Sequence, residues 1–576
     1  MLSFGSGVVG GSVVVFSAVF TAMEPSFYML NFMAKGVPTM AIRPLADAMR
    51  FMRMGSSFAG LPIRTAHSSE TTISYEDGDC DDVSKDNYAL VDHGERDLGF
   101  CILGSLNVRT TTFTPRNLDL FFTSVSAATV SSMSAVEMEI FTNTQLVILT
   151  VLMFIGGEVF TSMVGHYIGT FFVNIFPKDG DKSYHNTQCC VLDQIELKNI
   201  DIVTFKESKD EDFCIRTFSS TEINKIYMED LKYKSFKSLG VVVLFYLLLV
   251  QFLGVISVLM YLNFISSAND ILKHKGIEPL TFSIFTIVST FTNCGFVPTN
   301  ENMLIFKKNS GLLLILIPQA LLGNTLYPPV LRFTIWAVGK FTMKSETKYL
   351  LNNSKDIGYP HLLSYLQSSL LFVTVLAFIA VQFVLFSSME WNSGSLRGLN
   401  VYQKLVGIFF QTVNTRSTGE SVVDLSTMNA AVLVLFIVMM YLPPYTSFFP
   451  MVEECRDKRS KKDKTIMDNL IFSQQTYLVI FILLVCVFER KQMINDPLNF
   501  NVLNIAVEVI SAYGNVGFST GYNCDLRLKQ EGDCQNKWYG FSGKWSDEGK
   551  LVLIAVMIFG RLKKFNMNGG KAWKVF

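Results

Sequence analysis

Charge is scarce in this chain and evenly split: 17% of its 576 residues are charged, with 49 Lys+Arg against 49 Asp+Glu and a formal net charge of zero. No basic run stands in a soluble stretch, so no nucleic-acid partner is expected. The ten cysteines are scattered without C-x-x-C spacing, so no zinc or other structural metal site is indicated. A glycine-rich nucleotide fingerprint is missing, so ATP hydrolysis is not expected. Paired acid/base or nucleophile groups are missing from the apolar stretches as well, so the chain reads as no enzyme and needs no cofactor. What it has in quantity is apolar: 49% hydrophobic residues, 49 of them Phe, and a mean hydropathy of +0.33. That is the composition of an all-α polytopic protein whose surroundings are a lipid bilayer.

The apolar segments come in two lengths. Long runs at Gln145–Phe176, Gly240–Phe264, Leu312–Phe341, Leu362–Phe386, Ala430–Phe449 and Leu470–Phe488 read as spans, and Leu551–Gly560 opens a last helix. Between them lie short runs that end in small, polar residues: 117–140, 280–302, 405–424 and 502–522. An apolar run too short to cross, ending in hydroxyls or Gly, reads as a half-helix that enters the bilayer and returns as extended chain. Such irregular backbone is tolerated at that depth only where protein buries it or where it lines a watery path. Thr129–Met133, TVSSM, is a variant of the T-V-G-Y-G segment that presents carbonyl oxygens to an ion in K+ channels. The pattern span, re-entrant loop, span recurs four times, which predicts four repeats around one central pore. The divisions are an atypical N-terminal region, 1–97, with one weak apolar segment and an acidic loop; repeat one, 98–176; a cytoplasmic loop, 177–237; repeat two, 238–341; repeat three, 342–452; and repeat four with the C-terminus, 453–576.

Lysine and arginine crowd the connections after repeats two and three (Lys340, Lys344, Lys348; Arg456 to Lys464), which puts those connections in the cytoplasm and the re-entrant loops on the outer face. The termini are then cytoplasmic. Glu137, Glu139, Glu301, Glu420 and Asp424 follow the short runs and are expected to bias the outer mouth toward cations. Arg561 follows only about a dozen apolar residues, roughly 18 Å of helix against a hydrocarbon core of about 30 Å. A cation at that depth is a candidate pore barrier or gate, the alternative being an anchor that snorkels to the interface with Lys563 and Lys564. Cys524 and Cys534 share one polar loop and can form a disulfide if it is extracellular. His166 and Cys294 read as packed interior residues.

Thr123–Glu139 (TSVSAATVSSMSAVEME) and Ile155–Met163 (IGGEVFTSM), with TNCGF at 292–296, VNTRSTGE at 413–420, YGNVGFSTGY at 513–522 and FGRLKKFNMNGGKAWK at 559–574, closely resemble the plant high-affinity K+ transporter (HKT) family of the Trk/Ktr/HKT cation transporters. The resemblance covers about residues 98–576. It implies a selectivity filter at Ser132, Gly295, Gly419 and Gly517, flanked by Thr129, Val130, Ser131, Asn293, Cys294, Asn515 and Val516. In that family Ser-Gly-Gly-Gly marks the sodium-selective class and Gly at all four marks K+-permeable members. The implied activity is passive, channel-like Na+ transport across the plant plasma membrane, serving Na+ homeostasis and salt tolerance. Na+/K+ cotransport or K+ transport is the alternative within the family. A homodimer is left open. The resemblance also implies that Arg561 lies near the pore and opposes permeation.

The first repeat departs from that pattern. Of a leading helix only LGFCILGSLN at 98–107 is recognisable, and the apolar stretch at 2–32, interrupted by Glu24 and Pro25, is a poor substitute. A filter works by rigid placement, so the reading from another class is a membrane protein that does not conduct because its first repeat is defective.

Overall fold

The computed structural model describes residues 99–100, 103–104, 106, 108–109, 115–175, 202–205, 216–343, 345–446, 474–527 and 540–566. Helices make up nearly all of it, and the one sheet among these residues is a two-stranded antiparallel hairpin, Ile202–Phe205 with Arg216–Ser219, inside the expected 177–237 loop. Four short helices sit where the sequence predicts re-entry: Asn117–Ala128, Pro279–Thr292, Val401–Asn414 and Val502–Gly514. These are called pore helices one to four. After each comes an irregular segment and then a closing helix.

Local chemistry sets their ends. Pore helix two starts on Pro279 at its first turn, where a missing N–H is harmless, and stops at Asn293 in the left-handed region. Pore helix three is opened by a capping box between Asn400 and Gln403. Pore helix four is capped by Asn501 and stops at left-handed Asn515.

By length and composition, Tyr227–Phe264 and Tyr365–Glu390 can each cross a membrane, and two bent pairs add up to two more spans among the described residues. The expected single helix over Gln145–Phe176 is one of those pairs. It divides into Asn143–Gly156 and Glu158–Ile175 with a 58° bend, because at Gly157 the backbone is extended rather than helical. Ser310–Leu322 and Tyr327–Thr342 form the other, bent by 83° where Gly323-Asn324 precedes Pro328-Pro329. The helix at Ala430–Tyr441 stops two residues before Pro443-Pro444. Its 12 residues rise about 18 Å, so it is a half-span where the sequence reading had a full one.

Of the leading segment of repeat one, Gly99, Phe100, Leu103 and Gly104 are helical. Leu103 is fully buried, and the Gln145 side-chain amide donates to the carbonyls of Leu103 and Leu106 at 3.3 and 3.2 Å. Leu103 and Leu106 therefore tie this segment to the closing helix of its own repeat. The apolar stretch at 2–32 and the acidic loop fall outside the described residues. His166 sits where a packed interior residue belongs, its Nε2 2.9 Å from the Phe236 carbonyl and its ring stacked on Phe236 at 5.2 Å.

Candidate functional site

The four residues singled out as filter positions all have positive φ: Ser132 at 52°, Gly295 at 88°, Gly419 at 66° and Gly517 at 99°. Two residues earlier, Val130, Asn293 and Asn515 are left-handed too, at 50°, 61° and 48°. Filters one, two and four thus share one backbone pattern, a left-handed residue at every second position. Filter three shares only its last member, Gly419. Glycine meets this demand without strain and Asn meets it cheaply. The first filter meets it with Val130 and Ser132, and a β-branched residue in that region is a genuine outlier. Strain held at such a place costs about 1–3 kcal/mol per residue and persists only where the surroundings enforce it.

The surroundings are the other three filters. A Cβ added at Gly517 would lie 2.1 Å from the Ser132 Cβ and 2.9 Å from the Ser131 carbonyl oxygen. One at Gly419 would lie 2.3 Å from the Val516 carbonyl oxygen, and one at Gly295 would lie 1.5 Å from the Thr418 carbonyl oxygen and 3.3 Å from the Ser132 hydroxyl. First touches fourth, fourth touches third, third touches second and second touches first: the four positions close a ring. Three sides of that ring are bare backbone and the fourth carries a hydroxymethyl group.

Side chains flanking the ring turn away from it and tie it down. Thr129 donates to the Val125 carbonyl at 2.7 Å and pairs with the Ser131 hydroxyl at 2.8 Å. Asn515 donates to the same Ser131 hydroxyl at 2.8 Å and to the Met557 carbonyl at 3.2 Å, joining filter four to filter one and to the last helix. Asn293 donates to the Phe291 carbonyl at 3.2 Å, while Val130, Val516 and Cys294 are buried, Cys294 as a free thiol.

A vestibule of about 760 Å³, open solvent included, lies over the ring and is lined by all four filter positions with Glu301 and Asp424. Of the acids assigned to the outer mouth, Glu301 and Glu139 share the Lys275 ammonium at 2.6 and 2.5 Å, and Glu137 accepts from the Asn300 amide at 3.3 Å. Glu420 is placed differently from the expectation. It is fully buried and accepts from the Thr290 hydroxyl at 2.5 Å, so it braces filter three against pore helix two instead of facing the mouth. Its neighbour Gly419 points the backbone to the ring and so turns the next side chain into the packing.

Two braces of the same kind escaped the sequence reading. Glu508 on pore helix four, nine residues before Gly517, is fully buried and accepts from the Thr520 N–H at 3.2 Å and from the Ser519 hydroxyl. Gln411 on pore helix three, eight residues before Gly419, accepts from the Val422 N–H at 3.0 Å. Each holds the strand of chain that climbs from its filter. The sequence shows only a lone carboxylate in AVEVIS and a lone amide in IFFQTV, with nothing to mark their partners. Glu508→Ala leaves the Thr520 N–H and the Ser519 hydroxyl without their buried partner, at about 1–3 kcal/mol for each lost acceptor. The expected result is a fall of about tenfold in ion current per surface molecule, whereas Glu508→Gln, which keeps an acceptor oxygen, retains most of it. Equal currents from Ala and Gln, measured against surface-labelled protein, would contradict the brace.

Also missed was a buried ion pair, Lys550 to Asp119 at 2.7 Å, which ties the first turn of the last helix (Asp547–Asn566) to pore helix one. Further down that helix Arg561 is 1% exposed and donates to the Gly156 carbonyl, so it is an interior residue and not a snorkelling anchor. Cys524 is disulfide-bonded, and Cys534 lies outside the described residues.

The TrkH family, described as cation transport protein, matches residues 216–448 and 453–567. The chain is similar to the sodium transporter HKT1 of Arabidopsis thaliana, 49% identical over 81% of this chain and 90% of that protein. It is similar to the cation transporter HKT1;3 of Oryza sativa subsp. japonica, 48% identical over 83% of this chain and 89% of that protein. Among solved structures, the potassium transporter TrkH from Vibrio parahaemolyticus aligns over 97% of this chain and 96% of that one, at 14% identity and a TM-score of 0.42, a likeness too slight to bear weight.

Proposed function

The chain belongs to the TrkH family of cation transport proteins, and on that premise we propose that it is a passive, channel-like Na+ transporter whose filter is the ring Ser132–Gly295–Gly419–Gly517. The observation that carries the reading is the closed ring, with three glycines and one serine at positions where any further Cβ would strike a neighbouring filter. The glycines leave carbonyls free to approach a cation from three sides. Ser132 occupies the fourth with a side chain, which removes part of a cage large enough for bare K+. The smaller Na+ manages with fewer protein ligands and retained water. Relatives named as sodium or cation transporters support the same choice of ion.

Within this reading the four loop-bearing repeats surround one path, the mouth acids that line the vestibule, Glu301 and Asp424, concentrate cations, and Arg561 opposes permeation from below. The protein is multi-pass, and we place it in the plasma membrane with both termini in the cytoplasm, serving plant Na+ homeostasis and salt tolerance. Ser132 speaks against K+ transport and Na+/K+ cotransport, and the closure of the ring speaks against a non-conducting protein. The test is flux into proteoliposomes loaded with purified full chain. Radioactive Na+ should enter down its gradient without ATP and stop when the gradient is abolished. Uptake that requires K+ on the same side would instead identify a cotransporter.

A further inference from the structure

Three closing helices carry a glycine pressed against the last turn of their own pore helix. A Cβ on Gly156 would lie 2.1 Å from the Ala128 carbonyl oxygen, one on Gly323 would lie 1.7 Å from that of Phe291, and one on Gly560 would lie 2.0 Å from that of Tyr513. These carbonyls end pore helices one, two and four, immediately before the filters begin. Glu158, two residues after Gly156, and Asn324 and Arg561, each one residue after its glycine, therefore lie close below the ends of their pore helices, on the inner side of the ring. Each of the three is polar and follows a run of mainly apolar residues.

Arg561 donates to the Gly156 carbonyl. Asn324 is 5% exposed, and its Oδ1 accepts no hydrogen bond. Glu158 opens the lower half of the broken helix, is partly exposed, and its carboxylate makes no hydrogen bond or ion pair among the described residues. It lies within electrostatic range of His361 and Tyr445. Those two are buried residues of the segment joining repeats two and three and of the turn after closing helix three. Ser162, one turn on from Glu158, is hydrogen-bonded to the Tyr359 hydroxyl at 3.0 Å, so this face of the helix packs on the segment joining repeats two and three. Ionisable groups at membrane depth are expensive unless paired or set on a watery path, and among the described residues no cation is within salt-bridge distance of the carboxylate.

We propose that Glu158, with the amide oxygen of Asn324, forms a second cation station beneath the filter. Carboxylate and amide oxygens are the ligands that hard monovalent and divalent cations take. Arg561, held two residues from Glu158 through the Gly156 carbonyl, is the built-in counter-charge that keeps the station from trapping its ion. The filter selects and the station holds the ion at the inner base, so removing it affects how ions approach from the cytoplasm more than which ion passes. The inference deepens the cation-transport reading and rests on it.

The experiment compares wild type, Glu158→Gln and Glu158→Asp in full-length chain expressed in oocytes, with current normalised to surface-labelled protein. One charge lost within about a nanometre of the path changes local cation concentration about fivefold. Glu158→Gln should therefore cut outward Na+ current about fivefold relative to inward current, with an unchanged reversal potential, and Glu158→Asp should restore most of it. An outward-to-inward ratio equal to wild type in Glu158→Gln would overturn the station, as would a shifted reversal potential. A second readout stands apart from conduction: purified full chain heated in NaCl or choline chloride. Na+ should raise the unfolding midpoint of wild type more than that of Glu158→Gln, and equal rises would overturn the proposal. A wild type without current would sink the transport reading, whereas the station is judged on the thermal comparison.

Discussion

Ser132→Gly is expected to open the pathway to K+, raising the K+/Na+ permeability ratio roughly tenfold, about 1.4 kcal/mol in relative barrier height. The argument is geometric. Gly295, Gly419 and Gly517 already present bare backbone to the ring, and the Ser132 hydroxyl stands 3.3 Å from where a Gly295 Cβ would be. Glycine at 132 removes the last side chain from the circle. It also relieves a left-handed serine at φ 52°, a conformation that costs an ordinary residue roughly 1–2 kcal/mol. The mutant should fold at least as well as the parent, so a change in selectivity will not be masked by loss of protein. Reversal potentials indifferent to external K+ in the mutant, with normal surface protein, would remove Ser132 from the selectivity mechanism.

The second large effect concerns the glycines. Gly517→Ala and Gly295→Ala should each reduce current per surface molecule by about tenfold or more, since overpacking costs roughly 1–3 kcal/mol and the left-handed alanine adds to it. Their rescue should differ. What an alanine at 517 meets first is the Ser132 Cβ, at 2.1 Å, so Ser132→Gly in the same chain should recover part of the current. Recovery stays partial because the Ser131 carbonyl is 2.9 Å away and φ is 99°. What an alanine at 295 meets first is the Thr418 carbonyl, a backbone atom 1.5 Å away, so Ser132→Gly should leave Gly295→Ala as impaired as before. Equal rescue of both would mean that the ring contacts do not govern function.

Much of this was legible in the sequence because the bilayer leaves few options. Short apolar runs with hydroxyl-rich ends predict re-entrant segments, and all four form short helices that stop where Ala128, Thr292, Asn414 and Gly514 give way to left-handed or irregular chain. The positions Ser132, Gly295, Gly419 and Gly517 came from the resemblance to the HKT family, and the structure brings all four together. Three things were not readable, each for a physical reason. The break at Gly157 is invisible to hydropathy, since Asn143–Ile175 is apolar on both sides of it, and only the contact of Gly156 and Gly157 with the ends of pore helices one and two demands it. The braces Glu508 and Gln411 are single polar residues whose partners lie eleven or twelve positions on, across a turn that sequence spacing does not fix. Glu420 was read as a mouth acid because it follows a filter. The direction of one side chain depends on the backbone hand at Gly419, which no charge pattern encodes.

The central claim is tested most directly by two-electrode voltage clamp on cells expressing the unaltered chain, stepping external Na+ and K+ separately. A passive, sodium-selective path predicts a reversal potential that moves by about 59 mV per tenfold change in Na+ and stays put when K+ is changed. A reversal potential that follows K+ as well, or surface protein that carries no current at all, would contradict it.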